Sequence, residues 1–113
     1  MPARVSSVQE YFETLPDRFV QEASKGVDAV FQFEISGSLG GVWHVIVKDE
    51  KLEINTGEHD SPSARIQSSD ANYLKICNGD MNGLRAVISR KMKIQGNLVL
   101  ARKMQGMFPT GNI

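Results

Sequence analysis

Three runs between Ala29 and Thr56 constrain this chain more than any other feature, because each alternates apolar and polar side chains with a period of two. In Ala29–Ser36, Phe31, Phe33 and Ile35 share one face, while Gln32, Glu34 and Ser36 share the other. Val42–Lys48 places Trp43, Val45 and Val47 together and sets Val42, His44, Ile46 and Lys48 opposite, so this run is apolar on both sides and belongs inside a sheet. Lys51–Thr56 puts Leu52 and Ile54 on one side, after a tight turn at Asp49 and Glu50. The three read as an antiparallel meander with one apolar face. A face carrying two Phe, a Trp and several branched aliphatics must be covered, and helices are the expected cover.

The rest of the chain supplies them. Ser7 and Glu10 have the spacing of a capping box, which predicts a helix start there. Val8, Phe12, Leu15 and Phe19 continue at helical spacing, but Pro16 predicts a break near Leu15 and a second helix from Pro16 to about Lys25-Gly26. Gly37–Gly41 and Gly57–Pro62 read as loops, the second polar and mobile. Ala64–Ser68 reads as a short strand, and Ser69 as the N-cap of a helix that points Tyr73, Leu74 and Cys77 one way before Asn78-Gly79 closes it. Leu84, Val87 and Ile88 predict a further short helix. Met92 and Ile94 alternate with Lys91, Lys93 and Gln95 as a last strand, and Asn97 caps a final helix carrying Leu98, Ala101 and Met104, with Met107 and Phe108 beyond and Pro109 ending regular structure.

At 113 residues the chain is expected to form one domain, 1–113, with a core that needs no staples. One cysteine, no signal-peptide core and no bilayer-length apolar run together predict a soluble, cytoplasmic protein. Net charge is zero but unevenly placed: Arg85, Arg90, Lys91, Lys93, Arg102 and Lys103 follow Asp80 with no acidic side chain among them, so this third carries +6 and the remainder −6. The excess fits either a solvated face or a surface for anionic head groups or a phosphate-bearing ligand. Nucleic acid is not expected as a partner, because the cations are not interleaved with aromatics.

No catalytic pattern is found. His44 and His59 lack metal-ligand spacing, and no nucleophile elbow or phosphate-cradling glycine loop occurs. His44 reads as an outward polar residue, Cys77 as a small buried apolar one, and Trp43 as a core anchor that also touches ligand. No metal or cofactor is expected. Met81, Met92, Met104 and Met107 all fall in the last third, where flexible thioethers serve either as core filler or as a lining that moulds around ligands of differing shape.

The segment Lys91-Met92-Lys93-Ile94-Gln95-Gly96-Asn97-Leu98, followed by Ala101, Lys103 and Met104, closely resembles the end of the sterol carrier protein 2 domain. VFQFEISG, VWHVIVKD, ARIQSSDANYL and NGDMNGLRAV match further landmarks in order, so the resemblance runs from about Val8 to Phe108. Three positions depart from the family pattern: Arg90 where glycine is usual, Gly83 where proline is frequent, and Asp49-Glu50 in place of Asp-Gly.

The resemblance implies an α/β (α+β) fold, a five-stranded mixed sheet covered on one face by helices, enclosing an apolar lipid tunnel. Its lining is expected from Phe33, Trp43 and Val45 of the sheet and Leu74 of the following helix. Met81, Leu84, Val87 and Ile88 would continue it, then Met92 and Ile94 of the last strand. Leu98, Met104, Met107 and Phe108 would complete it from the last helix. Lys91, Lys93, Arg102 and Lys103 are the expected head-group or membrane contacts. The function implied is intracellular binding and transfer of a fatty acid, fatty acyl-CoA, sterol or isoprenoid, without enzymatic activity and with transient membrane contact. An accessory module presenting lipid to an enzyme partner, as in quinone biosynthesis, and a ligand-free interaction domain are the alternatives.

Overall fold

The computed structural model describes residues 4–108. In chain order it builds α1 (Val8–Arg18), a 3₁₀ turn (Gln21–Ser24), β1 (Ala29–Ser36), β2 (Gly41–Lys48), β3 (Lys51–Thr56), β4 (Ala64–Ser69), α2 (Asp70–Cys77), α3 (Gly83–Ile88), β5 (Met92–Gly96) and α4 (Leu98–Met107). The strands form one sheet in the order β3-β2-β1-β4-β5, antiparallel except where β1 and β4 run parallel. The expected α+β fold with a five-stranded mixed sheet is what forms. Pro109, expected to end regular structure, lies outside the described residues.

Local chemistry sets the element ends. Ser7 Oγ accepts the Glu10 N–H at 3.1 Å, and the Glu10 carboxylate accepts the Ser6 N–H at 2.6 Å, one residue earlier than a standard capping box. Ser69 and Asn97 cap α2 and α4 by accepting the Asn72 and Leu100 N–H groups at 3.2 and 3.1 Å. Asp49 and Glu50 both take left-handed φ values, 53° and 61°, so the β2–β3 hairpin closes through the mirror-image two-residue turn whose twist matches its strands.

The expected break at Pro16 is not there: α1 runs through Pro16 to Arg18, and the segment after it holds only the 3₁₀ turn rather than a second helix. Pro16 lies in the last turn, where one missing N–H removes little. Val8, Tyr11, Phe12 and Leu15 bury the same face against the sheet, and the Phe19 N–H still reaches the Leu15 carbonyl at 2.9 Å. Tertiary packing outweighs the local breaker.

β1 meets β4 because the connection after β3 crosses the polar face of the sheet. It is pinned there by the Gly57 carbonyl, 2.9 Å from His44 Nδ1, and by the His59 N–H, which donates to Gln32 Oε1 at 2.8 Å. The crossing buries Gln32, and the expected mobile loop is thus fastened to the sheet. On the opposite face, Ile94, Ile66, Phe33 and Trp43 form one transverse row across β5, β4, β1 and β2. The helices cover that row.

Candidate functional site

The covered face of the sheet is filled differently at its two ends. Over β1 and β2 the cover is aromatic: Phe12 stacks on Trp43 at 4.7 Å between ring centroids and packs on Phe33 at 5.0 Å and Tyr73 at 6.4 Å, with Tyr11 edge-on at 5.7 Å. These rings are buried, as are Val45 and Ile66. Over β4 and β5 the side chains change to aliphatics and thioethers. Leu74, Met81, Val87, Ile94, Leu100 and Met104 pack against the core yet remain only half-buried, as do Leu52 and Ile54 of β3 at the opposite edge of the sheet.

The sequence-predicted lining therefore divides into three groups. Phe33, Trp43, Val45, Met92, Met107 and Phe108 are buried in the core. Leu74, Met81, Val87, Ile94 and Met104 form the half-buried aliphatic end. Leu84, Ile88 and Leu98 stand 63%, 73% and 59% exposed, so none of the three faces the interior in this structure. For Leu84 and Ile88 the reason is helical phase. They lie one turn apart, and Ala86, the buried residue of α3, is two residues from each and so on the opposite side.

The C-terminal end of α4 is latched. The Val20 N–H donates to the Met107 carbonyl at 2.9 Å, Tyr11 Oη donates to the Phe108 carbonyl at 3.5 Å, and the Phe108 ring packs on Phe31 and Phe19. The other end of the helix, bearing Leu98 and Val99, is exposed.

The four expected head-group cations are all exposed, but they form two groups. Lys91 and Lys93 border, with Arg90, a cleft of about 550 Å³ on the polar face that also contains Glu34, Gln67 and Asn72. Arg102 and Lys103 lie on α4. Arg90 takes a left-handed φ of 64°, a backbone position that favours a residue without a Cβ.

Three polar devices escaped sequence reading. Glu34 accepts from Arg65 Nε and Nη2 at 2.6 and 2.9 Å and from Gln67 and Gln32 at 2.8 Å each. The Arg65 hydrogen bonds hold its carboxyl at about 2, well below the usual carboxylate range. Arg4 clamps Asp80 through two contacts of 3.1 and 2.7 Å. Buried Asn78 bonds both the N–H and the carbonyl of Val5, at 2.8 and 3.0 Å. Apart from Gln32–Glu34, these pairs join residues 31 to 76 positions apart, so only the outward placement of Glu34 was visible beforehand.

Burial pushes the Cys77 thiol far up, as it does the Tyr73 phenol, which suits packing rather than nucleophilic work. Among the described residues no group of three His, Cys, Asp or Glu side chains could hold a metal ion, and no helix is long and apolar enough to cross a membrane.

Comparison with known proteins agrees with this architecture. Residues 9–109 match the model of the SCP-2 sterol transfer family. The hydroxysteroid dehydrogenase-like protein 2 of Bos taurus is 34% identical over 104 residues, covering 91% of this chain and 25% of that protein. The chain thus spans about a quarter of the length of such curated relatives. Among solved structures, the palmitated SCP2L2 of Aedes aegypti superposes with a TM-score of 0.74 at 23% identity, covering 95% of this chain and 98% of that one. Sterol carrier protein 2 of Yarrowia lipolytica, in its apo form, gives 0.72 at 20%, covering 94% of each. These two likenesses concern the fold.

Proposed function

The chain belongs to the SCP-2 sterol transfer family, and on that premise we propose that it carries a single-chain hydrophobic ligand, a fatty acyl chain foremost, between the β4–β5 end of the sheet and helices α3 and α4. The observation that carries this reading is the half-buried aliphatic end. Leu74, Met81, Val87, Ile94, Leu100 and Met104 are supported from below by the core but not sealed from above, whereas the aromatic end is packed ring on ring. Unbranched thioethers at Met81 and Met104 suit a chain of variable length and bend. Burying ten methylenes there contributes about 8 kcal/mol before the costs of association, so no charged anchor or catalytic group is needed.

Enclosing a whole chain there calls for α4 to move. Its latch at Met107 and Phe108 favours a swing in which the Leu98 end lifts and the far end stays bound to α1 and the 3₁₀ turn. Exposed Lys91, Lys93, Arg102 and Lys103 support an approach to anionic lipid or to an acidic ligand head group. The palmitated state of the Aedes aegypti relative supports the choice of ligand class.

Met104→Asp tests the site, because a carboxylate inside an acyl-chain pocket must be desolvated or neutralised. Palmitate binding is expected to fall at least about tenfold with the circular dichroism spectrum unchanged. Wild-type affinity in a folded variant would remove the proposed pocket. The greater length of the curated relatives favours one second reading, a domain that presents lipid to an enzyme. Isolation from its source in a fixed ratio with an enzyme acting on lipophilic substrates would select it.

A further inference from the structure

β5 is an edge strand, paired on one side with β4. The Asn97 N–H donates to the Ser63 carbonyl at 2.9 Å, in line with that register. Antiparallel alternation then points the backbone groups of Lys93 and Gln95 at β4 and those of Met92 and Ile94 outward. Among the described residues no hydrogen bond takes up this outward pair. Ile94 ends the transverse row of Trp43, Phe33 and Ile66 and is only half-buried. On the other face, Lys93 joins Lys91 and Arg90 at the cleft of about 550 Å³. The one carboxylate bordering that cleft, Glu34, is engaged by Arg65, Gln67 and Gln32. Among the described residues none of the three cations is in a salt bridge. The opposite edge, β3, gives no such charge signal, because Asp49, Glu50, Lys51 and Glu53 mix signs there.

We propose that β5 docks an extended acidic segment of a partner protein, added to the sheet as a sixth strand in which acidic and apolar side chains alternate. Backbone hydrogen bonds to Met92 and Ile94 hold it, and side chains select it. Residues opposite one another in a sheet share a face, so the segment's residue beside Lys93 lies on the polar face, where a carboxylate meets Lys93 and Lys91. Its residues beside Met92 and Ile94 fall on the covered face, where an apolar side chain extends the transverse row and completes the burial of Ile94. A second copy of this strand is a poor occupant: the register that pairs Met92 with Ile94 sets Lys93 against Lys93. A free phosphate or a lipid head group would use the cations and leave the strand edge idle. The docking edge goes beyond the carrier reading and stands without it.

The test is fluorescence anisotropy of a dye-labelled peptide of alternating valine and glutamate, titrated with the whole chain. Saturable binding is expected, and at least about tenfold weaker binding when every glutamate of the peptide is replaced by lysine. Two further peptides carry N-methyl groups, one on all valine amides and the other on all glutamate amides. Only one edge of the peptide faces β5, so one methylated form is expected to lose at least about tenfold while the other binds like the parent. Lys91→Glu with Lys93→Glu is expected to weaken the parent peptide by a similar factor, with circular dichroism as the check on folding. Absence of binding by the wild-type chain up to about 1 mM peptide overturns the proposal. So does equal affinity for the acidic and basic peptides, or for the two methylated forms, the latter reducing the edge to a charged patch. These peptide comparisons use the wild-type chain, so they decide the matter even if the double variant does not fold.

Discussion

Replacing Phe12 by Ala removes the ring on which the aromatic end of the core converges. Phe12 is buried and touches Trp43, Phe33, Tyr73 and Tyr11 at centroid separations of 4.7, 5.0, 6.4 and 5.7 Å. Truncating a buried Phe costs about 3–5 kcal/mol through lost transfer energy and the cavity left behind. The upper half of that range applies here, because rings held from both α1 and the sheet leave little freedom to collapse. A domain of this size is stable by only about 5–15 kcal/mol, so the loss is a large fraction of the whole. Trp43 is the chain's single tryptophan and lies against Phe12, which makes its fluorescence a direct reporter of the site. With a urea dependence near 1.5 kcal/mol per M, the unfolding midpoint is expected to fall by about 3 M at unchanged slope. A loss below about 1 kcal/mol would refute the assignment of these rings to packed core and place ligand space beneath α1 instead.

Arg65→Ala should lower the urea midpoint at neutral pH by a small amount, since Arg65 is 42% exposed and solvent screens part of its bond to Glu34. The folded-state pKa of Glu34 is depressed to about 2, so this contribution is complete above the ordinary carboxylate range and is lost as pH falls from there toward 2; urea midpoints of wild type and variant should converge over that window. Asn78→Ala should cost about 1–3 kcal/mol by leaving both polar groups of Val5 without their partner, read from thermal unfolding; an unchanged melting temperature would deny the Val5–Asn78 bonds a structural role. Glu50→Gly should stabilise by about 1 kcal/mol, because φ is 61° at Glu50 and glycine meets no steric cost there; a fall in melting temperature would contradict the turn geometry.

What local pattern determines was readable before the structure. The β1–β2–β3 meander, the Ser7, Ser69 and Asn97 caps and the burial of Cys77 each depend on residues close in sequence, and each appears where the pattern put it. Pro16 misled because its local cost is outweighed by a buried helix face that touches residues far along the chain. Leu84 and Ile88 were indistinguishable from core, since a six-residue helix has too few positions to reveal which side faces inward. The Glu34 hub depends on β1 pairing with β4 in parallel, a juxtaposition created by the crossing connection and visible in neither strand alone. Of the four methionines that composition singled out, Met81 and Met104 lie at the half-buried end and Met92 and Met107 in the core: sequence separates apolar from polar, whereas depth depends on which helix lies over which strand.

As a carrier, the protein holds an acyl chain at the half-buried end between the sheet and helices α3 and α4. Native mass spectrometry of the freshly purified protein, followed by extraction and identification of bound lipid, tests it most directly. One defined acyl-bearing molecule per chain, displaced by added palmitate, is the result predicted. A chain that arrives empty and remains empty with palmitate, other fatty acids and acyl-CoAs would contradict it and leave the domain as an interaction module built on a lipid-carrier fold.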